Sequence, residues 1–213
     1  MFKFTNEPTT IITDLVIAIF GFYCAHFLQS LYFNSQMEVH KYFSLYFLSI
    51  ATGASFGSVY HAVETKYHNF RSGLWKMIMI CMVLSSVTLL LAIIFFSISS
   101  NDSSQKFLQI LSYGILFFST IKIFNNDDIK SAIIIYCPIS LISAVVMFLS
   151  WYHNSNMDAK QILVGLIISL FGTSFLFTRI SLHKHFNHND FFHVFQIIGM
   201  YFIFVGSIKI LDF

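Results

Sequence analysis

Charge is scarce in this chain of 213 residues: Asp, Glu, Lys and Arg together make up 10%. Soluble domains carry about 25%, and so small a complement cannot cover a water-facing surface. Twelve basic residues against ten acidic ones leave a net charge of +2, too little for the basic field of a nucleic-acid binder. The low hydrophobicity that marks disorder is missing too, since 56% of residues are hydrophobic and the mean hydropathy is +0.73. Cysteine is limited to Cys24, Cys81 and Cys137, each inside an apolar run and none in a CxxC spacing. That excludes a disulfide scaffold and a cysteine metal site, and the three are read as buried small hydrophobes. Proline occurs twice. Pro8 suits the first turn of a helix, and Pro138 is expected to kink one. No polar stretch is long enough to hold a soluble domain.

What remains is apolar chain in long runs. A helix crossing the hydrocarbon core needs about 20 mostly apolar residues. Seven runs meet that length, at about 10–34, 41–63, 73–99, 106–125, 130–152, 159–181 and 189–211. They are too long for barrel strands and do not alternate. The expected fold is therefore all-α: a polytopic membrane protein, one seven-helix transmembrane domain over 1–213. No cleavable leader is expected, and the first run acts as its own insertion signal. The 27 phenylalanines read as lipid-facing bulk. Of the lysines and arginines, eight fall on the N-terminal side and four (Lys41, Lys106, Lys160, Lys209) on the other. The bias places the N-terminus in the cytoplasm and the C-terminus outside.

Ionisable residues inside spans cost about 2.5–3.5 kcal/mol on insertion scales and so rank as functional candidates. They are Asp14 and His26 in the first run, His61 ending the second, and Asp190 and His193 opening the seventh, with Glu7 and Glu64 just outside. The up-and-down order of spans puts Glu7, Asp14, His61, Asp190 and His193 in one leaflet. His26 lies about 18 Å further along its helix, toward the other leaflet. Asp190 and His193 are i,i+3 neighbours, and Gln196 continues their face. Such a D-x-x-H pair can offer a carboxylate and an imidazole to one ion. His188, about 140° around the helix from His193, joins only if the helix starts after it. In the second run Gly53 and Gly57 form a small-xxx-small face. Ser58 shares the face of His61, and Ser55 lies off it. His40, His68, His153, His183 and His185 read as interfacial.

Seven spans, a Ser/His face ending the second and a histidine motif opening the seventh resemble the superfamily of alkaline ceramidases and adiponectin/progestin-type receptors. That resemblance implies a zinc ion held by histidines of spans 2 and 7, with a serine and an aspartate nearby, and hydrolysis of a lipid amide. His61 and His193 would take ligand roles. The chain departs from the family spacings: Gly57 stands four before His61, Asn189 stands four before His193, and span 3 holds no acid. A second resemblance, to uncharacterised bacterial seven-span proteins, rests on two runs. They are Glu7-Pro8-Thr9-Thr10-Ile11-Ile12-Thr13-Asp14 and Asn187-His188-Asn189-Asp190-Phe191-Phe192-His193-Val194-Phe195-Gln196. It implies no activity, but it suggests that the two runs serve one site.

The leading expectation is a zinc-dependent intramembrane hydrolase of a lipid amide or ester, the membrane lipid being its substrate. His61 and His193 would be metal ligands, with Asp190 or His188 as the third. Asp14 or Glu7 would move the proton and Ser58 would orient the carbonyl. The competing expectations are a receptor or binding protein with a structural metal, a small proton- or ion-coupled transporter, and, more remotely, a bis-histidine haem protein.

Overall fold

The apolar runs fold as α-helices throughout a computed structural model of the chain, which describes residues 7–98, 102–126, 128–178 and 186–210. Among them are seven helices: α1 Pro8–Ser35, α2 Glu38–Ala62, α3 His68–Ser97, α4 Ser103–Asn125, α5 Lys130–Asn154, α6 Met157–Thr178 and α7 His188–Ser207. The ends differ from expectation mostly at starts. α3 begins at His68 instead of about 73, because the polar turn before Trp75 is already helical. α4 begins at Ser103, where the Asp102 side chain accepts from the Ser104 N–H. That is an ordinary N-cap, and it extends the helix into polar sequence. Pro8 opens α1 and Pro138 lies inside α5, as their sequence positions imply. His183 and His185 lie outside the described residues.

Six of the helices are long and apolar enough to cross a membrane; α2 is not among them. Its 25 residues suffice in length, but His40, Lys41, Ser44, Ser49, Thr52, Ser55, Ser58 and His61 lower its hydropathy. The reason is its position. α2 packs against both α1 and α3 and buries Phe43, Phe47 and Ala51 completely, so little of it meets lipid. α4 is the opposite case. It exposes Phe107, Ile110, Phe117, Phe118 and Phe124, as an apolar solvent allows. The fold is thus a helical membrane bundle in which large apolar side chains both face outward and fill the core, with hydroxyls and two acids, Asp14 and Asp190, buried among them.

Those inner polar groups are mostly satisfied locally. Ser49, Ser55, Thr88, Ser112 and Thr173 each donate to a carbonyl one turn back, which removes the cost of an unpaired hydroxyl. This occupation makes Ser55 a packing residue. Glycine sets the closest approaches. On α6 and α7, a Cβ at Gly199 would meet the Gly165 carbonyl oxygen at 2.8 Å, and one at Gly206 would meet the Asp158 carbonyl oxygen at 2.8 Å. This α6–α7 seam is not apparent in the sequence, since its glycines recur at seven residues instead of four. His40 also departs from expectation. It is 3% exposed, not interfacial, with Nδ1 3.1 Å from Ser35 Oγ. His68 and His153 are exposed as expected. His26 lies on the outer surface of α1. Cys24 and Cys81 are buried, Cys137 is half-buried, and all three are free thiols.

Candidate functional site

The two polar runs meet side by side. Thr10 Oγ1 donates to Asp190 Oδ1 at 3.0 Å, and Thr13 Oγ1 lies 2.7 Å from His193 Nδ1. Both pairs are 180 positions apart. A constant offset means that α1 and α7 run parallel and in register, so i,i+3 on one helix reads i,i+3 on the other. Asp14 adds a third contact, its Oδ1 3.4 Å from His193 Nε2. The second resemblance therefore rests on residues that touch.

Each partner follows from local structure. Asn187 caps α7: its side chain accepts from the Asn189 N–H at 2.8 Å, and the Asn187 N–H donates to Asp190 Oδ2 at 2.7 Å. This is a capping box. With Thr10 on Oδ1, both oxygens of the fully buried Asp190 are committed, and Asp190 is not part of the cavity wall described below. Its two oxygens are thus occupied within the protein. Its carboxylate fixes where α7 starts and how that end sits on α1. The D-x-x-H face is real, but it faces α1.

His193 is oriented with the same economy. Thr13 Oγ1 lies 3.1 Å from the Thr10 carbonyl, to which it can donate, and 2.7 Å from His193 Nδ1, where the ring's tautomer decides which atom donates. On the other side of the ring Nε2 faces Asp14 Oδ1 at 3.4 Å. With its proton on Nε2 the ring donates to the carboxylate, and with the proton on Nδ1 a lone pair meets it. Thr13 does not line the cavity, so it is not placed as a nucleophile.

Asp14 sits in a notch cut for it. It is 4% exposed, and a Cβ on Gly57 of α2 would meet its Oδ2 at 2.8 Å. Oδ2 itself is buried with no hydrogen-bond partner. Gly57 thus leaves the space that a carboxylate from α1 fills.

The second imidazole, His61, ends α2. Its Nδ1 is 2.6 Å from Glu7 Oε2, an Nδ1–H to carboxylate bond that leaves Nε2 as the lone-pair nitrogen. Arg71 of α3 closes the same helix end, with Nη1 donating to the Tyr60 carbonyl at 2.7 Å and also to the Val63 carbonyl. Its guanidinium lies 4.0 Å above the Tyr60 ring. The hydrogen bond from His61 holds the Glu7 carboxyl below its ordinary value of 4.5, against the upward pull of partial burial. A lowered folded value means that the contact stabilises fully above about 4.5 and is lost as pH falls through the lower folded value. Thermal melts in detergent should show wild type exceeding Glu7→Gln at neutral pH, with the gap closing below about pH 4.5. Glu7 is 40% exposed, so screening keeps the gap small. A gap that widens on acidification would contradict the pairing.

These groups share a cavity of about 710 Å³ at one end of the bundle. Glu7, Asp14, His61, His188 and His193 all line it, as do Tyr60, Arg71, Trp75, Lys130 and Gln196. His188 takes part although it is the first residue of α7 and not ahead of it. Ser58 is buried and is not on the wall, so it does not face whatever enters. Thr10, Thr13, Tyr60, Arg71 and Trp75 were not singled out in the sequence. Only the Thr10/Thr13 spacing, equal to the Asp190/His193 spacing, could have revealed two of them. Among the described residues no three His, Cys, Asp or Glu side chains are gathered closely enough to hold one metal ion.

The sequence profile described as "Family of unknown function (DUF6962)" matches residues 9–212, so the chain belongs to that family. No curated protein matches the chain.

Proposed function

We propose that this chain is an intramembrane hydrolase of a lipid amide or ester, working in the cavity at the shared end of α1, α2 and α7. One observation carries the reading. The His193 imidazole and the buried Asp14 carboxylate stand 3.4 Å apart, in a cavity that also holds His61 on its Glu7 anchor. Asp14, which lines the cavity and has Oδ2 unpartnered, removes a proton from water as the water oxygen bonds to the substrate carbonyl carbon. His193 shares that proton, and the pair returns it to the nitrogen or oxygen that leaves when the carbonyl bond breaks. His61, held by Glu7, orients the water. Thr13 and the capping carboxylate of Asp190 position His193 and do not touch substrate.

Zinc, which the superfamily resemblance implies, would be held by His61 and His193 with Asp14 in place of Asp190. The chemistry of these donors fits. Both rings are anchored through Nδ1, by Glu7 and by Thr13, in the manner of metal-binding histidines with oriented outer partners, and Asp14 brings an unpartnered carboxylate oxygen. Their spacing does not yet gather around one point. Zinc in such a site supplies Lewis acidity, polarising a carbonyl and acidifying water.

The same reading takes α2 as a seventh span, because it is enclosed by two apolar neighbours and ends at the site. It places the N-terminus in the cytoplasm of a bacterial inner membrane, on the lysine and arginine bias. The test is elemental analysis of detergent-purified protein with His61→Ala and His193→Ala beside it, followed by mass spectrometry of lipids after incubation. Near-stoichiometric zinc lost in both variants, and lipid cleavage lost with it, is the expected result. Well-folded protein that cleaves no amide or ester lipid, with or without added zinc, would sink the hydrolase.

A further inference from the structure

A hydroxyl inside a membrane helix ordinarily donates to the carbonyl one turn back, and most in this bundle do. Ser140 and Ser143 of α5 do not. They are 1% and 0% exposed; Ser143 Oγ has no hydrogen-bond partner, and Ser140 turns to the Tyr136 side chain and not to its own backbone. Gln196 of α7 is 7% exposed with Oε1 likewise unpartnered. Leaving such groups dry in a low-dielectric core costs about 1–3 kcal/mol each, and native structures satisfy them with water when protein does not.

Their placement is ordered. Tyr136 and Gln196 both line the acid–histidine cavity. Tyr46 lies beside Gln196, and Tyr136 lies beside Thr173 and Ser140. Ser140 and Ser143 then continue the inward face of α5 away from the cavity, one step of i,i+4 and one of i,i+3. The next residue on that face is Met147, 0% exposed, and the one after it is Ser150. Ser150 lines a second cavity, of about 1290 Å³, at the opposite end of the bundle, where Glu38, His153 and Asp158 also stand. From Ser140 to Ser150 is about 15 Å of helix. The only large apolar side chain on this face over that distance is Met147.

We propose that bound water fills the seam along Gln196, Tyr136, Ser140 and Ser143 and conducts protons between the two cavities, with Met147 as its constriction. Each water accepts a proton from one neighbour and passes another on. A proton enters at one mouth as one leaves at the other, and nothing is oxidised or reduced. The acid–histidine cavity meets the seam at the inner mouth, and the cavity holding Glu38, His153 and Asp158 meets it at the other. The seam needs no lipid substrate and stands apart from the hydrolase reading, since flux is measured where no cleavage is possible.

The test is proton flux into vesicles of phosphatidylcholine and phosphatidylglycerol holding the full chain and a trapped pH dye, driven by a potassium gradient and valinomycin. Wild type should exceed protein-free vesicles several-fold. Ser143→Val, which fills the space and removes the hydroxyl, should bring flux near the protein-free rate, and Met147→Ala should raise it above wild type. If the valine variant fails to fold by size exclusion and circular dichroism, Ser143→Ala takes its place with the same expected direction. Wild-type flux no greater than that of empty vesicles would overturn the proposal. So would flux unchanged by both the Ser143 and the Met147 substitutions.

Discussion

Asp14→Asn is expected to lower lipid turnover by about 10²–10⁴-fold, the usual contribution of a positioned acid or base, in protein that remains folded. The substitution keeps the volume that fills the notch over Gly57. Its amide can still hydrogen-bond His193 Nε2, as donor or acceptor, so the contact survives. What is lost is the ability to take up a proton. The matching control is Asp190→Asn, which makes the same chemical change three residues before His193. Asp190 has both oxygens tied up in helix start and interhelix contact, so its loss should appear as stability, about 0.5–2 kcal/mol for a weakened cap. Lipid cleavage and thermal melts of the two variants separate the roles. Equal activity in wild type and Asp14→Asn would make Asp14 a structural contact and end its assignment as base.

That contrast marks the boundary of what the sequence could reveal. Helix number and type were legible because membrane spans are long, and an apolar run of about 20 residues can satisfy its backbone in lipid only by coiling into a helix. The depth of the site was legible because topology forces α1 and α7 to start, and α2 to end, at the same face. The pairing of the two polar runs was suggested by the resemblance that contains both. Partner identity was not legible. Nothing in the linear order says that Asp190 faces α1 while Asp14 faces the cavity. Both are acids at a helix start, and the difference is one of rotation about an axis by a fraction of a turn. Ser58 failed for the same reason: sharing the face of His61 one turn away does not bring it to the cavity wall. Arg71 was counted only as a positive charge for orientation, because a cation capping carbonyls on a different helix leaves no local pattern.

The contacts also show how the elements share the site. Gly57 of α2 leaves room that the Asp14 carboxylate of α1 occupies. Asn189 stands in the first turn of α7, just after the Asn187 cap. α3 holds no acid, and α1 supplies Asp14 to the cavity.

Gly57 tests that arrangement most directly. A methyl added there would meet the Asp14 Oδ2, Oδ1 and Cγ atoms at 2.8, 3.0 and 3.1 Å, closer than packed atoms tolerate. The carboxylate must rotate away from His193, or α1 and α2 must part. Gly57→Ala is therefore expected to cost about 1–3 kcal/mol, as overpacking in a filled interior does, and to abolish activity. If the clash is with Asp14 alone, Asp14→Ala in the same chain should restore much of the stability and none of the activity. The coupling between the two substitutions would then be about 0.5–3 kcal/mol, the range for residues in contact. Gly53→Ala is the reference. Its added methyl would meet Cys81 Cβ at 3.0 Å, an apolar contact on the α3 side, so its cost should be indifferent to Asp14→Ala. Thermal melts of wild type and the five variants in one detergent complete both cycles. Additive behaviour of Gly57→Ala with Asp14→Ala would mean that the notch is not what holds the carboxylate against His193, and the site would have to be rebuilt without it.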